Sequence, residues 1–136
     1  MLTTLWFVGV AVAGLVLWAL LDRLTIRRWA KNRAPTTWDQ LKIEIVGAGA
    51  SEQTAEFLQK EFAPYYRYGL TPYPEDQLFS TLNIDPGDVE DAVESYWKLR
   101  GWNQPSPTEP KLVPSDPSLA DFALWLEHAG HPPSTR

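Results

Sequence analysis

Residues 2–21 read LTTLWFVGVAVAGLVLWALL and contain no charged side chain. In a helix rising about 1.5 Å per residue, such a run covers ~30 Å, the thickness of a bilayer's hydrocarbon core. No water enters that region, so backbone N–H and C=O groups must pair within the segment, which a helix alone achieves for a single span. The stretch predicts one membrane-spanning helix, and it makes the rest of the chain a small domain held at a membrane.

Two other readings fit less well. A secretory signal wants a basic start, an apolar stretch of about 7–15 residues and a small-residue cleavage site. Residues 1–4 have no basic side chain, the apolar run is longer than that, and Asp22-Arg23-Leu24 follows it. A buried core helix would need a surrounding core that a chain of 136 residues does not supply. Residues 22–34 hold Arg23, Arg27, Arg28, Lys31 and Arg33 against Asp22. The positive-inside rule then puts the C-terminal domain in the cytoplasm. The expected location is the cell (inner) membrane of a bacterium, crossed once. Trp6, Trp18 and Trp29, with Arg27 and Arg28, are expected as anchors at the headgroup level. Gly9 and Ala13, four apart and small, would let another transmembrane helix approach closely.

Charge separates the chain into two parts. Residues 35–136 carry seven basic and sixteen acidic side chains, so an acidic domain follows the basic collar. The collar attracts anionic headgroups; the acidic part is repelled by them and by nucleic acid, which argues against DNA or RNA binding. The acidity fits a basic protein partner, and it fits solubility equally well. Cysteine is absent, which excludes disulfides, thiolate metal sites and cysteine nucleophiles and fits a reducing compartment.

The chain after the span reads as helices. Residues 22–33 extend the membrane helix by two or three turns, until Ala34-Pro35 breaks it. Residues 1–34 therefore form the anchor with its basic extension, and residues 35–50 a linker or short helix. Residues 37–47 are ambiguous: Trp38, Leu41 and Ile45 have helical spacing, whereas Leu41, Ile43 and Ile45 alternate as in a strand. The helix is preferred, because no second strand-like run exists to pair with. Ser51 caps a helix carrying Ala55, Leu58 and Phe62 inward, with Phe57 at the edge of that face; it ends at Pro64. A loop with two prolines and a short apolar turn at Leu78, Phe79 and Leu82 follow.

Asp85-Pro86-Gly87-Asp88 writes a helix start: an acceptor at the N-cap, proline at the first position, and acid in the first turn. That helix runs to about Leu99, with Val89, Ala92, Val93, Tyr96 and Trp97 inward and Glu90, Asp91 and Glu94 outward. A proline-rich loop leads to a last helix starting at Asp116-Pro117-Ser118 by the same device, with Leu119, Phe122, Ala123 and Leu126 inward. Gly130 closes it, and residues 131–136 are expected to be a disordered tail.

Reaction chemistry is poorly supplied. The acids around Asp85 lack the spaced oxygen ligands and internal glycine of a calcium loop. Gly47-x-Gly49 is too short for a phosphate cradle, no serine sits in a nucleophile elbow, and His128 falls near a helix C-terminus, where a cation is ordinary. Trp102 stands in a loop and reads either as a binding hot spot or as a lid on the core. No catalytic residue, metal ligand or cofactor is expected.

The order of elements in residues 51–130, with an acidic helix PGDVEDAVESYWKLRGW after a long loop and a last helix at DPSLADFALWL, resembles the acyl carrier protein fold, a small four-helix bundle. Asp85, Asp88 and Asp91 match acidic positions of the carriers' recognition region. The serine that bears phosphopantetheine in carriers falls on Pro86, which has no hydroxyl. The resemblance thus implies a degenerate carrier without acyl transfer, whose acidic helix remains as a docking surface. The expectation is an all-α chain: a transmembrane helix plus a carrier-like bundle, docking a protein partner through Asp85, Asp88, Glu90, Asp91, Glu94, Trp97 and Trp102. The alternative is a small accessory subunit of a larger membrane complex, held through the transmembrane helix at Gly9 and Ala13.

Overall fold

The computed structural model of the chain describes residues 1–102 and 113–128. Gly130, the tail at 131–136 and the middle of the proline-rich loop lie outside the described residues. Those described contain five α-helices, one 3-10 turn and no strand, so the fold is all-α. They form two compact units. The first is Met1–Pro35 with Arg67–Leu70; the second contains Thr36–Tyr66 and the chain from Thr71 onward.

The first unit is built on α1, Leu2–Lys31. Its 30 residues give a rod of about 45 Å, longer than a hydrocarbon core by roughly ten residues. None of its residues is buried, and its large apolar side chains, from Leu2 to Leu24, stand open. A helix this apolar and this bare is long enough to cross a membrane. Arg28 and Lys31 sit in its last turn, where cations offset the negative end of the helix dipole. Asn32 caps it, its N–H donating to Trp29 O at 3.1 Å.

The second unit packs four helices. Helix α2 runs Trp38–Gly47. Two features decide helix over strand here. Thr37 and Gln40 form a capping box, each side chain accepting the other's backbone N–H at 3.2 and 3.0 Å. Leu41 and Ile45, one turn apart, are buried, whereas Ile43 is 73% exposed; a strand would have turned all three inward. Helix α2 packs against α3, and the second compact unit begins at Thr36.

Helix α3, Glu52–Phe62, is capped by Ser51 and ends in the 3-10 turn Ala63–Tyr65. It buries Thr54, Ala55, Leu58 and Phe62, together with Phe57 at the edge of that face. Helix α4, Pro86–Leu99, buries Val89, Ala92, Val93, Tyr96 and Trp97. Helix α5, Leu119–His128, buries Leu119, Phe122, Ala123 and Leu126. Edge-on aromatic pairs join them: Phe57 with Tyr96 at 5.2 Å and Phe62 with Phe122 at 5.7 Å between ring centres.

The start of α5 differs from its expected form. Ser118 caps the helix, its hydroxyl accepting the Asp121 N–H at 3.1 Å. Asp116 lies outside the helix at φ 43°, and its carboxylate accepts the N–H groups of Phe79 and Ser80 at 2.9 and 3.1 Å. Asp116 therefore fastens the turn that carries the fully buried Leu78. Three backbone bonds continue this seam: Leu78 N–H to Pro117 O, Leu119 N–H to Asp76 O, and Ala120 N–H to Pro74 O. Asp76, 5% exposed, is held by the Tyr66 hydroxyl at 2.7 Å and the Tyr73 N–H at 3.0 Å. A buried carboxylate needs such donors, since desolvation without them is costly.

Candidate functional site

The acidic start of α4 assembles from local rules. Asp85 takes extended geometry and its carboxylate accepts the Gly87 N–H at 2.8 Å. A Cβ on Gly87 would stand 2.9 Å from that oxygen, so glycine lets the cap close. Asp88 follows in the first turn, where negative charge is favoured by the helix dipole. The Tyr65 hydroxyl donates to Asp88 at 3.0 Å. Burial, then this hydrogen bond and the negative charges of Asp88, Asp85 and Glu61, push Tyr65 above its ordinary value and keep it a donor.

Asp85, Asp88, Glu90 and Asp91 are exposed and Glu94 is half-buried. These acids occupy the first three turns of α4 with no basic residue among them; Lys98 comes only in the last turn. Asp88 with Asp91, and Glu90 with Glu94, are spaced so that like charges face each other, which costs a few tenths of a kcal/mol per pair.

The two tryptophans of the expected docking set lie elsewhere. Trp97 is 3% exposed and belongs to the core, one step beside Tyr96 on the inner face of α4. Trp102 is half-buried, its ring edge-on to Tyr96 at 5.7 Å and beneath the Arg100 guanidinium at 5.3 Å. The backbone N–H of Trp102 donates to Trp97 O at 2.9 Å. The outer face of α4 is thus acidic, and its aromatics serve the interior.

On α1, Gly9 and Ala13 line one shallow groove with Leu2, Leu5, Trp6 and Val10, about 400 Å³ in volume. A Cβ placed on Gly9 would meet nothing within 4 Å. Trp6 and Trp18 are exposed, Trp29 is 39% exposed with Arg33 stacked over it at 5.1 Å, and Arg27 and Arg28 are exposed.

Two features were not legible from residue spacing. Ile43 and Val46, exposed on α2, face Ala55 across a groove of about 550 Å³ rimmed by Asp39, Lys42, Glu52 and Glu56. The one sequence signal was Ile43 itself, the apolar residue left over once Leu41 and Ile45 are turned inward. The second is a polar knot in the domain interior. Glu127 accepts the Ser51 N–H at 2.8 Å and the hydroxyls of Ser51 and Thr54. Thr54 in turn shares a 2.8 Å hydrogen bond with the Tyr96 hydroxyl. Burial alone would raise the Glu127 carboxyl; the hydroxyl and amide donors and the Arg100 charge outweigh it and hold it below its ordinary value. Burial raises Tyr96 against the opposing Thr54 bond. Thr54 and Tyr96 are closed to solvent while Ser51 and Glu127 are half-buried, and the knot joins α3, α4 and α5. Among the described residues no three His, Asp or Glu side chains come together to hold a metal ion.

The fold and these surfaces define an all-α chain with one helix fit to cross a membrane and a helical domain with an acidic helix start. Compared with protein families, curated proteins and solved structures, the chain matches none.

Proposed function

We propose that this chain is a non-catalytic, membrane-tethered docking module. It crosses the inner membrane once through α1, keeps its domain in the cytoplasm, and presents the acidic start of α4 to a basic surface on a protein partner. The observation that supports this most is the row of exposed acids, Asp85, Asp88, Glu90 and Asp91, of which Asp85 caps the helix and Asp88 meets Tyr65 while Glu90 and Asp91 stand outward. Electrostatic complementarity of this kind steers encounter and fixes the partner's register. The orientation follows from the basic residues after the span. The docking mode is that of a carrier-like domain whose prosthetic-group position is taken by Pro86.

Charge reversal tests it. The full chain with Glu90→Lys and Asp91→Lys, purified in mild detergent, should fold normally and lose a partner that the unaltered chain retains. Equal recovery of that partner overturns the reading.

The groove at Gly9 and Ala13 favours a second reading: an accessory subunit held by helix packing in the bilayer. Exchanging residues 2–21 for an unrelated span separates the two. Docking through α4 keeps the partner, and packing through α1 loses it.

A further inference from the structure

The turn Arg67–Leu70 belongs to the same compact unit as α1, although it begins 36 positions after Lys31 in sequence. The Arg67 guanidinium lies 3.8 Å from the carboxylate of Asp22. Arg23 stands over the ring of Tyr68 at 5.5 Å, and Arg67 lies 5.7 Å from the same ring. Asp22 and Arg23 are the first two charged residues after the uncharged run of α1. A group that touches them therefore stands at the boundary between hydrocarbon and headgroups, provided that α1 spans the membrane as proposed above.

The turn is shaped for that level. The Leu70 N–H closes it on Arg67 O at 3.1 Å, Leu70 is buried, and Tyr68 and Gly69 adopt φ of 57° and 82°. Tyr68 takes left-handed geometry, which is costly for a tyrosine, and its ring is 40% exposed with two guanidinium groups at 5.5 and 5.7 Å from its centre. An amphipathic ring flanked by cations is the chemistry of the membrane interface. One turn and more beyond it, Arg27, Arg28 and Lys31 are exposed and Arg33 stacks on Trp29. Six basic side chains face a single acid, Asp22, which Arg67 already engages.

We propose that the turn Arg67–Leu70 is a second membrane-contact element, which together with residues 22–33 forms a cationic, aromatic surface for the headgroups of anionic lipids. Arg23 and Arg67 supply charge, Tyr68 supplies the ring that settles at the interface, and the Asp22–Arg67 pair holds the turn against α1. Long-range attraction of the cluster to an anionic leaflet adds to this.

The absence of cysteine makes the test direct, because any introduced cysteine is a unique labelling site. Full chains carrying Val12→Cys, Tyr68→Cys or Asp91→Cys are spin-labelled and reconstituted into phosphatidylcholine vesicles with and without phosphatidylglycerol. Collision with oxygen and with a water-soluble nickel chelate then reports depth. The label at 12 should favour oxygen, the label at 91 the chelate, and the label at 68 an intermediate, headgroup depth that shifts inward when phosphatidylglycerol is present. Adding Arg67→Glu should release the label at 68 toward water while leaving that at 12 in place. A label at 68 as water-exposed as that at 91, with 12 still in hydrocarbon, overturns the proposal alone. A label at 12 open to the chelate overturns the spanning reading as well.

Discussion

The carboxylate of Glu127, on the last turn of α5, accepts the backbone N–H of Ser51 at 2.8 Å, just ahead of the first turn of α3. The residues lie 76 positions apart, and their contact places a negative charge where the helix dipole of α3 favours one.

Replacing Glu127 should cost stability with a defined pH signature. Its folded value lies below the ordinary glutamate value of about 4.3. The contribution is therefore complete above that ordinary value and lost as pH falls through the lowered one. Urea unfolding of the full chain in detergent at neutral pH should show Glu127→Ala less stable by about 1–3 kcal/mol. Glu127→Gln should flatten the acid limb of the stability curve below about pH 4.3. An unaltered limb would mean that the carboxylate is not held in this way.

Thr54 and Tyr96 should behave asymmetrically. Tyr96→Phe leaves Thr54 its bond to Glu127 and should cost about 1 kcal/mol. Thr54→Val strands a buried hydroxyl on Tyr96 and should cost more, about 1–3 kcal/mol. The double variant should lose less than the sum of the two, because it removes both ends of one bond. Strict additivity in urea midpoints would contradict the 2.8 Å contact.

Asp85 can be separated into cap and charge. Asp85→Ala removes the acceptor of the Gly87 N–H and should destabilise α4 by ~1 kcal/mol, whereas Asp85→Asn keeps a cap oxygen and should cost little. Gly87→Ala places a Cβ 2.9 Å from the Asp85 oxygen and should resemble cap removal. Guanidinium titrations of the three variants rank them, and equal midpoints for Ala and Asn at position 85 would reject the cap.

The tryptophans of α4 should respond by burial. Trp97→Ala empties a core position and should cost about 3–5 kcal/mol. Trp102→Ala loses an edge-on contact with Tyr96 worth about 0.5–1.5 kcal/mol beyond its buried area. If Trp102→Ala left stability untouched but abolished partner recovery, Trp102 would belong to the docking face after all.

The expected docking set divides on this point. Its acids remain on the surface because α4 needs charge only at its first turn and outer side, both readable from helical spacing. Trp97 is adjacent in sequence to Tyr96, and a helix advances about 100° per residue, so both fit inside a broad apolar stripe. Helical spacing already turns Trp97 inward beside Tyr96, at odds with a docking role, and the core buries it. Asp116 was legible as a helix start because Asp-Pro favours one, yet its carboxylate was claimed by two amides of a turn 36 and 37 positions away.

The sequence by itself determined what acts over a few residues. An uncharged run long enough for a bilayer, caps at Thr37, Ser51 and Asp85, and apolar residues at three- and four-residue steps require only the geometry of one helix. Tertiary structure decided what depends on partners far along the chain: α2 as a packed helix, the knot of Ser51, Thr54, Tyr96 and Glu127, and the turn Arg67–Leu70 beside Asp22. Pairing and burial between distant segments are set by which surfaces fit together, and no local period encodes that fit.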